Sequence, residues 1–432
     1  MRLIAIKSLS AFVAALALTA TPALADIKIG VLYDYTGALA GGGSKPGGLG
    51  TKIAIDMFNE RGGVAGHKVV ATYADAQSKV DVAINETERL LNDTKVDLLM
   101  GVFSSAQCVP MAAKVDAAKK FFWANICVSS AVFKDKNLQY VFRGTVHSDQ
   151  FGEASCQFLA DNAKAKLGKD PKDIKVAIIH EDGPYGTGVA SGNESKCKEL
   201  GIQVVHKEGY AATATDLSAL VTKLRRARAD VILHTGYNPD ITLFLRQSKE
   251  AGLKWSALIG HGAGHAQIDK LTETFGGDVN YLYNVDPVAA QLLDPKTLKA
   301  GLGDITTEMV KRYRTEAGIG PNDEVPSHVS MGFNQAWYFL NDVLPRAIKN
   351  HGGFDPDALR KAALETDIPE GGTIQGYGVK FFPPGSRMSG QNERASPVVM
   401  QFIDGKTKIA WPTSIKTADP ILPLPKGHGY AP

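Results

Sequence analysis

Apolar residues along the chain form short continuous runs that alternate with stretches of helical spacing. The continuous runs predict buried strands at residues 27–32, 96–103, 121–126, 176–180, 202–205, 231–233 and 257–259. Helical spacing predicts helices at residues 80–91, 106–119, 186–200 and 216–228, with one more between the last two strands. Regular alternation of strand and helix predicts βαβ units, and therefore an α/β fold with parallel sheets and helices on both faces.

The strand–helix alternation is interrupted around residues 140–150 and then restarts, which predicts two Rossmann-like lobes. The last third is less regular, with helical patterns at about 304–316, 331–349 and 357–365. Two β-like runs, 398–403 and 407–411, flank Asp404 and Gly405, a pair typical of a β-hairpin turn. Residues 413–432 are proline-rich and lack periodicity, so we expect an extended tail.

Composition narrows the possible classes of protein. The 432 residues carry 48 Lys and Arg against 45 Asp and Glu, a net charge of +3. This balance argues against nucleic acid as the main partner. Hydrophobic residues make up 44% and charged residues 22%, which is typical of a globular protein. The length is sufficient for two domains.

The first 25 residues have the pattern of a signal peptide. Arg2 and Lys7 precede the short apolar run 11–20, and small residues at Ala23 and Ala25 form a cleavage pattern. An uncleaved anchor is the alternative, but the apolar run is short for a membrane span. No other long apolar run follows, and no cysteine lies at the cleavage site. We therefore expect cleavage after Ala25 and a periplasmic protein that is not inserted in the membrane.

Candidate binding residues lie where the predicted strands end, because open parallel sheets bind ligands beyond the carboxyl ends of their strands. Ser105 comes directly before a predicted helix, where a helix N-terminus can hold an anion; simple helix capping is the alternative. Four tyrosines at strand ends would form aromatic walls: Tyr33, Tyr35, Tyr185 and Tyr237.

Catalytic motifs are weak in this sequence. The glycine-rich residues 37–50 match neither a phosphate-binding loop nor a dinucleotide fingerprint. His261 and His265 are four residues apart, but they lie in a glycine-rich stretch and no Glu follows His261. We therefore expect neither an enzyme nor a metal site, and no cofactor.

Six segments together resemble the type I periplasmic binding proteins of the leucine/isoleucine/valine type. They are residues 27–37 (IKIGVLYDYTG), 59–66 (NERGGVAG), 97–105 (DLLMGVFSS), 140–143 (YVFR), 176–188 (VAIIHEDGPYGTG) and 230–239 (DVILHTGYNP). The resemblance implies two lobes that are joined by a three-segment hinge and close on a small solute. It also implies delivery to an inner-membrane ABC permease and its ATPase. On this basis residues 26–145 and 286–380 form the first lobe, and 146–285 and 381–412 the second.

The resemblance also assigns roles to individual residues. Ser105 matches the serine that holds the ligand carboxylate, and Ile126 and Val128 match the pair that contact the same group. Tyr185 and Tyr237 match two second-lobe tyrosines. His328 falls where a further tyrosine is expected, and Gly42 falls where the leucine binder has a tryptophan over the ligand.

One departure from the family concerns the ligand class. His261 falls where amino-acid binders place a glutamate for the α-ammonium group, and a histidine cannot supply that negative charge. We therefore expect a carboxylate ligand without an α-amino group, unless Asp34 or Glu181 replaces the missing anion.

The four cysteines are predicted to form one disulfide in each lobe. The family's first-lobe disulfide lacks both partners here, at Gln77 and Ser104. Cys108 and Cys127 lie at neighbouring positions around one sheet, and Cys156 and Cys197 on two consecutive helices of the second lobe. An exported protein favours disulfides, and four buried free thiols are the alternative.

The sequence thus predicts a monomeric substrate-binding component of an ABC importer. Its ligand is a small carboxylate, either a hydrophobic amino acid or an aromatic or aliphatic acid. A sensor domain for a membrane receptor and an exported hydrolase remain as alternatives, and the second lacks an identifiable nucleophile and base.

Overall fold

The computed structural model describes residues 26–432, and the predicted signal peptide lies outside the described residues. The strands are β1 (Ile27–Tyr33), β2 (Val69–Asp75), β3 (Leu98–Gly101), β4 (Phe121–Ala124), β5 (Val141–Arg143), β6 (Lys175–Glu181), β7 (Gln203–Tyr210), β8 (Val231–Thr235), β9 (Ala257–His261), β10 (Tyr283–Asp286), β11 (Val398–Ile403) and β12 (Lys406–Trp411). The α-helices are α1 (Ser44–Glu60), α2 (Val80–Asn92), α3 (Ser105–Ala117), α4 (Ser148–Asn162), α5 (Pro184–Glu199), α6 (Ser218–Ala227), α7 (Asn238–Glu250), α8 (Ile268–Phe275), α9 (Leu302–Ala317), α10 (Ser327–Tyr338), α11 (Leu344–His351) and α12 (Pro356–Leu364).

The first lobe is built on a five-stranded parallel sheet with the order β2-β1-β3-β4-β5. Its central strands β3 and β4 read LLMG and FFWA, and every residue in them is buried. Such continuous apolar strands are expected where helices cover both faces of a parallel sheet.

The second lobe contains a seven-stranded sheet with the order β12-β11-β10-β9-β8-β6-β7. Strands β6 to β10 pair in parallel, whereas β11 pairs antiparallel with both β10 and β12. The predicted hairpin turn has positive φ angles at Asp404 (48°) and Gly405 (79°), as this type of tight turn requires.

The glycine-rich residues 37–50 prove to include the start of a helix that packs closely on another. Helix α1 lies against α10, and a Cβ atom at Gly50 would come within 2.3 Å of the Val329 carbonyl oxygen. A Cβ atom at Gly332 would come within 2.0 Å of the Gly47 carbonyl oxygen. These glycines therefore permit close helix packing, and the C-terminal helices return the chain to the first lobe.

The chain passes between the lobes after β5, after β10 and before β11. Phe381 packs against Trp123 and Phe142 of the first lobe, and Gln391 pairs with Arg143. Residues 381–391 therefore contact the first lobe, whereas the sequence prediction placed residues 381–412 in the second. The proline-rich tail packs on the second lobe, where Tyr430 stacks on Trp255 with ring centroids 4.4 Å apart.

Both predicted disulfides are present, one in each lobe. Cys108 is bonded to Cys127 and Cys156 to Cys197, and the part of the chain that the structure describes has no free cysteine. Among residues 26–432, no helix combines the length and the apolar character needed to cross a membrane.

Candidate binding site

A small cleft lies between the two lobes, at the carboxyl ends of the central strands. This is where an open α/β sheet is expected to bind ligands. The first lobe contributes Phe103, Ser105, Ile126, Val128, His328 and Met331, and the second contributes Phe151, Tyr185, Tyr237, Gly262, Ala263 and Asp286. Six of the nine predicted ligand-binding residues are in this group: Ser105, Ile126, Val128, Tyr185, Tyr237 and His328.

Ser105 is the first residue of α3, with Ser104 in extended conformation before it. The Ser105 side chain is 2% exposed, and its Oγ accepts a hydrogen bond of 3.2 Å from the backbone N–H of Ser129. The positive end of the α3 dipole and the unpaired N–H groups of its first turn favour an anion at this wall.

Ile126 and Val128 belong to the segment that follows β4. This segment is fixed by backbone hydrogen bonds from Asn125 to Gly101 (2.9 Å) and from Cys127 to Val102 (3.0 Å). The Arg143 guanidinium also donates to the carbonyl oxygens of Cys127 and Ser129. Alternation along this extended segment directs Ile126 and Val128 into the cleft and Cys127 into the disulfide behind it.

Aromatic rings from both lobes meet across the cleft. Tyr237 contacts Tyr185 and Phe103, with ring centroids 5.6 Å and 6.0 Å apart, and Phe103 contacts the His328 ring at 5.4 Å. Burial raises the pKa of both Tyr185 and Tyr237 well above the usual value, so both hydroxyl groups stay protonated. The Tyr185 hydroxyl donates to the backbone oxygen of His261 at 2.5 Å.

His328 is the second residue of α10 and fully enclosed. Its Nδ1 lies 3.4 Å from the Gln267 side-chain nitrogen of the opposite lobe. Burial lowers the pKa of His328 to about 4, so its imidazole is neutral at physiological pH.

Asp286 also lines the cleft, although it was not among the residues predicted from the sequence. It ends β10, is 1% exposed, and accepts a hydrogen bond of 2.5 Å from the Ser327 hydroxyl. Burial raises the pKa of Asp286 to about 7. Among the described residues that line the cleft it is the only carboxylate, and none is Lys or Arg. The one signal in the sequence for Asp286 is its place at the end of β10. This strand has only four residues, and the polar Asn284 among them interrupts the apolar run that would predict a strand.

His261 does not reach the cleft with its side chain, contrary to the sequence prediction. The ring is fully buried in the second lobe, with Nδ1 at 2.9 Å from the Thr235 hydroxyl and Nε2 at 3.2 Å from the Ser155 hydroxyl. Burial lowers the pKa of His261 to about 3. The next residue, Gly262, is the one that lines the cleft, so the reason for excluding an ammonium group no longer holds.

The two first-lobe tyrosines also lie elsewhere, because α1 covers the end of β1. The Tyr33 hydroxyl is 2.9 Å from the Thr51 hydroxyl of α1, and Tyr35 packs beside Gly48 of the same helix. Neither ring lines the cleft.

The two acids considered as replacement anions have structural roles. The carboxylate of Asp34 accepts hydrogen bonds of 2.7 Å from the Ser78 backbone and the Gln107 side chain. That of Glu181 accepts backbone hydrogen bonds at the start of α5, from Gly183 and Gly186. Asp286 is therefore the carboxylate available to a ligand in this cleft.

Comparison with protein families decides the classification. A family model described as periplasmic binding protein matches residues 26–395. The chain belongs to this family. It is 35% identical over 412 residues to the Leu/Ile/Val-binding protein homolog 7 of Brucella suis biovar 1 (strain 1330), covering 95% of this chain and 98% of the relative. Homolog 8 of Brucella abortus (strain 2308) is 34% identical over 399 residues, with 92% and 93% covered.

Solved structures of binding proteins share the fold of this chain. The leucine binding protein LivK of Thermotoga maritima MSB8 superposes with a TM-score of 0.72 at 21% identity, covering 89% of this chain and 97% of that one. A solute binding protein from R. palustris in complex with benzoate gives 0.69 at 16% identity, with 93% and 99% covered. The predicted family and two-lobe α/β fold are thus confirmed.

Proposed function

We propose that this protein is the periplasmic substrate-binding component of an ABC importer and that it captures a small hydrophobic amino acid. The curated relatives are named Leu/Ile/Val-binding protein homologues, which supports this class of solute. The observation that carries the proposal is the pair formed by Ser105, at a helix N-terminus, and Asp286 in one apolar cleft.

The two polar walls are complementary to a zwitterion. The N-terminus of α3 with Ser105 would bind the ligand carboxylate, because N–H groups and the helix dipole favour a negative charge there. Asp286 would bind the ammonium group and lose its proton to do so. A simple organic anion would bring a second negative charge beside Asp286 without a cationic side chain in the cleft to balance it.

The remaining walls of the cleft determine which ligand side chain can bind there. Apolar and aromatic side chains predominate in the lining of the cleft, as is typical of small-molecule sites. A leucine-sized or phenylalanine-sized side chain suits such walls, where aromatic rings provide most of the contact area.

Capture would proceed by closure of the lobes about the hinge. Contacts that would break on opening include the Ser129 hydroxyl with the Pro184 carbonyl oxygen at 2.8 Å, and the Gln267–His328 pair. Each lobe contributes half of the lining, so the complete site exists only when they are together.

The same proposal includes the partners and the location of the protein. The mature monomer, cleaved after Ala25, would release its solute to an inner-membrane permease that is driven by an ATPase. An aromatic or aliphatic acid is the second candidate ligand, because the R. palustris neighbour was solved with benzoate.

A ligand screen tests the proposed class directly. The melting temperature of purified residues 26–432 would be measured in the presence of individual L-amino acids and of the matched acids that lack the amino group. A free ligand concentration of about 100 times Kd stabilises the folded state by about 2.7 kcal/mol. We expect the largest rise in melting temperature with a hydrophobic amino acid. Rises confined to the acids would refute the zwitterion, and no rise with either class would refute the proposed solute class.

A further inference from the structure

The first-lobe disulfide lies directly behind the residues that line the cleft. Cys108 is in the first turn of α3, three residues after Ser105, and Cys127 lies between Ile126 and Val128. Both cysteines are buried on the side of this segment that faces away from the cleft. The bond therefore joins two segments that each supply part of the proposed carboxylate wall.

We propose that the Cys108–Cys127 disulfide is a positioning cross-link, which fixes the N-terminus of α3 relative to the segment after β4. This inference rests on the proposed function, because it concerns the same binding wall. A carboxylate that contacts both segments requires a fixed distance between them. Rigidity before binding reduces the ordering cost that the ligand must otherwise offset.

Apolar packing in a shared core and one side-chain hydrogen bond connect α3 with the segment after β4. The Ser129 backbone N–H meets the Ser105 hydroxyl at 3.2 Å, and Cys127 donates its backbone N–H to Val102 at 3.0 Å. The second of these contacts holds the segment to the end of β3 and not to α3 itself. Without the disulfide, the Ser105–Ser129 hydrogen bond becomes the main polar link between helix and segment.

The second disulfide provides a matched control within the same chain. Cys156 and Cys197 are also fully buried and join α4 to α5, two helices that pack along each other. The cleft residues on those helices lie further from the bond along the chain: Phe151 is five residues before Cys156, and Tyr185 is twelve residues before Cys197. Loss of this bond would reduce stability without releasing a binding wall.

The experiment compares two double variants of the mature chain. The first pair combines Cys108→Ser with Cys127→Ser, and the second pair combines Cys156→Ser with Cys197→Ser. The first readout is amide hydrogen exchange in peptides covering residues 103–109 and 125–130, which requires no ligand. The second readout is calorimetric titration with L-phenylalanine and L-leucine. If serine in this apolar core prevents folding, Cys108→Ala with Cys127→Val keeps the contacts apolar.

We expect faster exchange in both peptides for the first pair only, with affinity about three- to tenfold weaker. The second pair should show wild-type exchange there and wild-type affinity, with a lower melting temperature. Equal exchange in both variants, or equal loss of affinity in both, would overturn the positioning role. If the wild-type protein binds neither amino acid, the proposed function fails, while the exchange comparison still decides the role of the disulfide.

Discussion

Replacement of Asp286 by Asn tests the chemistry proposed for the cleft. The substitution keeps the size of the side chain and a carbonyl oxygen for the Ser327 hydroxyl, but it removes the negative charge. Because Asp286 is 1% exposed, a ligand ammonium beside the Asn variant would be enclosed without an anion. Removal of one partner from a buried ion pair costs about 3–5 kcal/mol. We therefore expect affinity for the amino acid to fall by a factor of at least about 100.

The folding free energy should change in the opposite direction. Burial raises the pKa of Asp286 to about 7, so ionisation of this group opposes folding when no ligand is bound. Its contribution to stability is complete at low pH and is lost as the pH rises through 7. At about pH 8 the Asn variant should be at least as stable as the wild type, which separates lost binding from damaged folding.

The assay is calorimetric titration of wild type and variant with L-phenylalanine and with 3-phenylpropanoate. The wild type should prefer the amino acid, and its affinity should rise between about pH 6 and about pH 8 as Asp286 loses its proton. The Asn variant should lose most of this preference and this pH dependence. Equal weakening of both ligands would show that Asp286 has only a structural role. A wild-type preference for phenylpropanoate would refute the ammonium site itself.

Three further substitutions separate binding from stability. Ser105→Ala should remove a charge-assisted hydrogen bond worth about 1.5–3 kcal/mol and weaken the amino acid about tenfold or more; unchanged calorimetric affinity would contradict this. His261→Ala should lower the unfolding free energy in urea by about 2–3 kcal/mol because the Thr235 and Ser155 hydroxyls lose a partner, yet leave the preference between amino acid and acid intact. A changed preference would return His261 to the binding site. The unfolding free energy of the wild type should fall between about pH 7 and about pH 5, because burial lowers the pKa of His265 to about 3 and only the unfolded chain takes up a proton there. His265→Phe should make this fall smaller by about 2 kcal/mol. An identical pH dependence in variant and wild type would contradict that reasoning.

Much of the fold could be predicted because its local signals are strong. The buried strands β3 and β4 are continuous apolar runs, β8 begins with one, and the helical face predicted at residues 80–91 became α2 (Val80–Asn92). Less could be predicted where tertiary packing decides the structure. Helix α1 contains three glycines, which disfavour a helix locally, but close packing against α10 requires small residues there.

The residues predicted to line the cleft divide according to the same distinction. Ser105 and Tyr237 could be located because each lies at a strand-to-helix junction, a position recognisable from the pattern alone. His261 was misplaced because side chains alternate at the end of β9, and a displacement of one residue exchanges core and cleft. Asp286 depends on how β10 enters the hinge, which hydrophobic patterning does not show.

The glycines near the mouth of the cleft bear on the size of the ligand. Gly42 falls where the resemblance implies a tryptophan, an exchange that would leave room for a larger solute. In the structure a Cβ atom at Gly42 would be in ordinary contact with Asn238 of the second lobe, at 3.7 Å, whereas one at Gly43 would lie 2.7 Å from the Phe103 ring and 3.0 Å from His328. Gly43 also has a φ of +131°, which disfavours any side chain. The glycines thus bring the backbone of this loop close to both lobes, and Phe103 and His328 line the cleft beside it. In the proposed function the ligand must therefore fit between these rings while its two charged ends reach Ser105 and Asp286.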